Sequence, residues 1–118
     1  MGHLQLTFVL DSGARIGPGK AALLRSVQAT GSISAAARSM GMDYKRAWLL
    51  IDSLNQSFVT PIVERSAGGA GGGGAVLTPF GQELLERYSR LEETVKAFAK
   101  LDLKAIERKA APEQGPKI

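Results

Sequence analysis

The chain has 118 residues, no cysteine and one histidine, His3, so neither a disulfide framework nor a histidine-built metal site is expected. No apolar run approaches the ~20 residues that span a bilayer, and the N-terminus shows no signal-peptide pattern, so a cytoplasmic location with no membrane contact is expected. A net charge of +4 favours a polyanionic partner such as nucleic acid, though by itself it marks only a mildly basic protein.

The first element is a strand over 4–10, where Leu4, Leu6, Phe8 and Leu10 alternate with Gln5, Thr7 and Val9. A turn-rich stretch follows, with Ile16 in a short returning strand. Pro18 or Gly19 opens a helix that reaches Ala29, and Thr30-Gly31 ends it. Gly17-Pro-Gly-Lys20 is not a phosphate-binding loop. That pattern requires glycine at position 14 and a hydroxyl at 21, and both are alanine.

The stretch from Ser32 to Leu54 is the organising one. It reads as a helix over about 34–40, a tight corner at Gly41, and a second helix over about 44–57. Ser32 and Ser34 supply capping oxygens for the first helix and Asp43 for the second. Gly41 suits a positive φ. Ala36, Ala37, Met40, Met42, Ala47 and Leu50 fall where two crossing helices need small or apolar residues. Ala47, Ile51, Leu54 and Phe58 recur at helical spacing and face inward. The remaining face carries Tyr44, Lys45, Trp48, Leu49 and Asp52, as in a helix that offers its first turns to a major groove. Such corners also occur in domains that touch no DNA.

Beyond the corner, Pro61–Ser66 and Ala75–Leu77 read as two short strands around a glycine run, Gly68, Gly69, Gly71, Gly72, Gly73 and Gly74. Gly69, Gly71 and Gly74 match a dinucleotide fingerprint literally, but an apolar strand follows where a helix would be needed. The choice lies between a linker and a wing. The following segment is too short and too helical for a second domain, so a wing is expected. Thr78 caps and Pro79 begins a last helix reaching about Lys109. On it Leu84, Tyr88, Leu91, Val95 and Phe98 recur at steps of four, three, four and three. That stripe exceeds what one small domain covers, so a partner helix is expected over packing on the chain's own core. Residues 110–118 read as a disordered tail. The fold class is therefore mainly α with a small β-wing: a winged helix-turn-helix over 1–77 with an N-terminal strand, continued by a dimerisation helix over 78–109.

These residues carry a family likeness. Thr30-Gly-Ser-Ile-Ser34, Ala35-Ala-Ala37, Tyr44-Lys-Arg-Ala-Trp48, Asn55, Val63-Glu-Arg65, Gly71-Gly-Gly-Gly-Ala-Val-Leu-Thr78 and Gly81 resemble the N-terminal winged-helix domain of the molybdate-responsive ModE regulators. The corner and the start of the last helix are similar, more distantly, to LysR-type regulators. The resemblance covers about residues 4–100. It implies a homodimer that recognises an inverted repeat in double-stranded DNA and controls molybdate transport or molybdoenzyme genes. In full-length relatives a C-terminal pair of β-barrels binds molybdate or tungstate, and these 118 residues contain no counterpart. The chain alone is therefore expected to need no cofactor and to bind no oxyanion, with any such control supplied by a separate molybdate-sensing chain. The wing departs too: relatives often place a basic residue where this chain has Ala70.

Residue reading and resemblance together give a DNA-facing set. Ser34 holds a phosphate at the start of the first corner helix. Tyr44, Lys45 and Arg46 stand on the first turn of the recognition helix, with Lys or Arg suited to guanine and Tyr to phosphate. Trp48 either contacts DNA or closes the core. Arg46 is a DNA contact or a surface ion-pair member. Arg65 reaches the flanking backbone from the wing. No catalytic constellation is legible, so the chain is not expected to be an enzyme. The competing reading is a winged helix that binds a protein, or a regulator of some other signal.

Overall fold

The computed structural model describes residues 2–66 and 73–112. Along the chain run β1 (Phe8–Val9), β2 (Arg15–Ile16), α1 (Pro18–Thr30), α2 (Ile33–Ser39), α3 (Tyr44–Gln56), β3 (Val63–Ser66), β4 (Gly74–Leu77) and α4 (Pro79–Glu107). This is the expected winged helix-turn-helix with a long final helix.

Pro18 starts α1 where a missing N–H leaves nothing unpaired. Gly31 ends it in the left-handed region, φ 78°, with its N–H donating to the Val27 carbonyl. Ala21, Leu23, Leu24 and Val27 form the buried face. Ser32 caps α2, its hydroxyl accepting the Ala35 N–H at 2.8 Å, so α2 begins one residue before Ser34. Gly41 turns the corner at φ 62°, as its position predicted. Asp43 holds the N-cap position of α3, but its side chain accepts no capping bond, so the expected carboxylate cap is absent. Ala36 and Ala37 of α2 meet Ala47, Ile51 and Leu54 of α3 in one core with Leu24, Val27, Ile62 and Leu77. Close helix crossing requires the alanines.

The strand expected over 4–10 is shorter than its alternation suggested. Only Phe8 and Val9 pair, antiparallel to Ile16 and Arg15. The partner segment ends at once, because Gly17-Pro18 turns into α1 and proline offers no N–H to a ladder. Residues ahead of β1 instead run beside α4. The Tyr88 hydroxyl donates to the Leu6 carbonyl at 2.7 Å, and the Phe8 ring meets the Tyr88 ring edge-on at 5.6 Å. The wing hairpin pairs Val63 with Leu77 and Ser66 with Gly74. Gly68, Gly69, Gly71 and Gly72 lie outside the described residues, as do 113–118 of the expected tail.

α4 starts as expected, with Thr78 accepting the Gly81 N–H at 2.9 Å and donating to the Pro61 carbonyl at 2.6 Å. A Cβ at Gly81 would run into the Ile62 carbonyl oxygen, so the helix start and the residue before β3 approach more closely than any side chain permits. Arg25 of α1 reaches across to Ser89 and Glu92.

The stripe assigned to a partner needs correction. Tyr88 is only 1% exposed and belongs to the chain's own core, Leu84 packs against that core, and Val95 is half-buried. Leu91 and Phe98 are exposed. The five residues span about 80° of helix circumference at ~100° per residue, and the edge of the core runs through that arc. Leu101 (79% exposed) and Ile106 extend the exposed apolar surface beyond Phe98, toward the C-terminus. No helix among the described residues is long and apolar enough to cross a membrane.

Candidate nucleic-acid interface

Three elements meet on one side of the molecule: the start of α2, the first two turns of α3, and the base of the wing. Each is tied to the next. Ser26 of α1 and Ser39 of α2 share a hydroxyl–hydroxyl bond of 2.6 Å. The Ala75 N–H of β4 donates to the Gly31 carbonyl at 2.8 Å, which fixes the wing against the turn before α2. Asn55 of α3 holds the wing from the other side. Its Oδ1 accepts the N–H groups of Ile62 and Val63 at 2.8 and 3.1 Å, and its Nδ2 donates to the Val63 carbonyl at 3.0 Å. Satisfying both backbone groups of Val63 with one amide sets where β3 leaves α3.

Between these elements lies an open cleft of about 310 Å³, lined by Ser34, Tyr44, Trp48, Arg65 and Gly74 among others. Four of the six residues assigned to DNA from the sequence thus share one cleft, with the wing glycines Gly73 and Gly74 at its margin. Lys45 and Arg46 stand on the same first turn of α3, both exposed and outside the cleft lining. The ion pairs among the described residues are Arg25–Glu92 and Arg87–Glu83, so Arg46 forms none there. Trp48 is 41% exposed; its ring faces the cleft and does not close the core.

A second, smaller cleft continues along α3 and is lined by Trp48, Asp52, Asn55, Glu64 and Arg65. Its two carboxylates make that end repel phosphate, whereas the end bearing Lys45 and Arg46 attracts it. Asn55 is the residue whose role sequence reasoning missed. A polar residue one turn beyond Ile51, near the end of an otherwise apolar face, was the available signal.

A winged helix-turn-helix whose second corner helix is left open to solvent, cationic at its first turn and flanked by the wing, is the architecture of the DNA-binding regulators. The model described as the bacterial regulatory helix-turn-helix protein, lysR family, matches residues 20–82, and the chain belongs to that family. It is 46% identical over 84 residues to the molybdenum-pterin-binding protein MopB of Rhodobacter capsulatus, covering 71% of this chain and 31% of that protein. It is 42% identical over 97 residues to the DNA-binding transcriptional dual regulator ModE of Escherichia coli K12, covering 81% of this chain and 37% of that protein. The chain spans about a third of the length of these relatives. The crystal structure of a CbnR_DBD–DNA complex shares the fold with TM-score 0.59 at 20% identity, covering 75% of this chain and 95% of that one. The ModE and LysR resemblances read from the sequence are therefore both borne out.

Proposed function

We propose that this chain is the DNA-reading part of a ModE-type transcriptional regulator and binds an inverted repeat as a homodimer. The observation that carries the reading is the convergence of Ser34, Tyr44, Trp48 and Arg65 on one cleft beside the exposed Lys45 and Arg46. In this role Ser34 and Tyr44 hold phosphates, Lys45 and Arg46 read guanine edges, and Arg65 anchors the flanking backbone. The likeness to ModE supports control of molybdate or molybdoenzyme genes, with any oxyanion sensing supplied by a separate chain. With DNA as the partner, the protein works in the cytoplasm and as a binding module.

The second copy packs on the exposed face of α4. Leu91, Thr94, Phe98, Leu101 and Ala105 recur there at steps of three and four, with Leu91, Phe98 and Leu101 exposed. Selection of bound sequences from random duplex DNA, followed by sedimentation of the complex, tests the reading. The expected result is a two-fold-symmetric consensus carrying two chains. Absence of any enriched sequence would leave the winged helix as a protein-binding module.

A further inference from the structure

Leu49 is 50% exposed on α3, and with Tyr44 and Trp48 it makes three large exposed apolar side chains on the first turns of one helix, where a lone exposed leucine would mean nothing. The buried side of α3 is Ala47, Ile51 and Leu54. At about 100° per residue, Lys45 and Leu49 lie opposite that side, at the outermost line of the helix, and Tyr44 and Trp48 lie between that line and the wing. Tyr44 (54% exposed), Trp48 and Leu49 therefore form an apolar pad on the first two turns. Lys45 stands between Trp48 and Leu49 in helical phase, Arg46 beyond Leu49, and Arg65 lines the cleft with Tyr44 and Trp48. One turn further on, the pad stops: Asp52 accepts the Gln56 amide at 2.9 Å and presents carboxylate charge. Phosphate is thereby disfavoured beyond the first two turns.

The residues of those turns, Tyr44-Lys-Arg-Ala-Trp-Leu-Leu50, include no Asn or Gln, the side chains that pair bidentately with adenine. What an apolar pad can distinguish in the major groove is the C5-methyl of thymine, the one apolar group a base edge presents there. Resting on the DNA-binding reading above, we infer that Leu49, with Trp48 beside it, is a specificity-determining contact that reads thymine methyl groups. Lys45 and Arg46 supply the neighbouring guanine contacts.

The test uses the full chain and a duplex selected from random sequence. Each thymine in one half-site is replaced in turn by deoxyuridine, which removes the methyl and keeps every hydrogen-bonding atom. Burying one methyl-sized group corresponds to about a fourfold change in affinity. At one or two positions the uracil duplex is expected to bind about fourfold more weakly. At those positions Leu49→Ala is expected to abolish the difference between thymine and uracil, and Trp48→Ala to reduce it. Far-UV circular dichroism and melting establish that both variants are folded. A selected site that binds equally well with every thymine replaced overturns this inference alone. So does a thymine–uracil difference that survives Leu49→Ala. Failure to enrich any sequence overturns the DNA-binding reading and this inference with it.

Discussion

Asn55 and Tyr88 show how single side chains set the geometry of this molecule. The Asn55 amide takes both backbone groups of Val63 and the N–H of Ile62. Asn55→Ala leaves three partly buried polar groups without partners, at a cost of about 1–3 kcal/mol. A denaturant melt should show that loss. Tyr88 ties the N-terminal segment to α4 through the Leu6 carbonyl. Tyr88→Phe should cost about 1 kcal/mol at neutral pH. Burial first, and the Glu92 carboxylate second, raise the Tyr88 phenol above its ordinary value of 10.0, against a smaller opposing effect of Arg25. The raised value means that its stabilisation is complete below about pH 10 and is lost as pH climbs through the folded-state value. The wild type should therefore lose stability above pH 10 more steeply than Tyr88→Phe, as read by melts across that range. Lys45 was legible because helical phase places it opposite Ala47, Ile51 and Leu54, and Tyr44 and Trp48 because they fall on the flank of that buried face. Asn55 was not, because its partners are loop and strand backbone at 62–63, which periodicity does not locate.

Elements were legible where their determinants are local. The corner followed from Gly41, the cap Ser32 and the small residues of α2, though Ser34, also expected as a cap, lies within the helix; α4 followed from Thr78-Pro79. The strand over 4–10 was overestimated because pairing depends on a partner segment, and that partner is consumed by the start of α1 at Pro18. The α4 stripe was misassigned in part because spacing reveals that a face is apolar and not which side of it the core occupies. Gly81 tests the packing of this element. Alanine has the better helix propensity by about 1 kcal/mol. The Ile62 carbonyl stands where the new methyl would go, so the backbone must shift, and such overpacking costs about 1–3 kcal/mol. Gly81→Ala should accordingly lower the melting temperature; a rise would show that α4 and Ile62 are less tightly opposed.

At the scale of the whole molecule, the fold separates two tasks. The core of α1, α2, α3 and the wing carries the cleft, and α4 extends about 43 Å at ~1.5 Å per residue, with its C-terminal half beyond the buried residues Gly81, Leu85 and Tyr88. Phe98, 88% exposed, stands on that half. If a second copy covers this face, Phe98→Asp strands a charge in an apolar seam and should yield monomers in sedimentation at micromolar concentration, with the melting of the core unchanged. The central claim is that the cleft and the first turns of α3 hold duplex DNA. Salt dependence tests it most directly, because each phosphate neutralised by a cation releases counterions. Lys45 and Arg46 read base edges, so Arg65 from each of two copies gives about two such contacts. Affinity for a selected duplex should then fall by about tenfold between 50 and 200 mM salt, with the selected site bound more tightly than scrambled DNA throughout. An affinity that does not change with salt, or that is equal for selected and scrambled duplexes, would contradict the account.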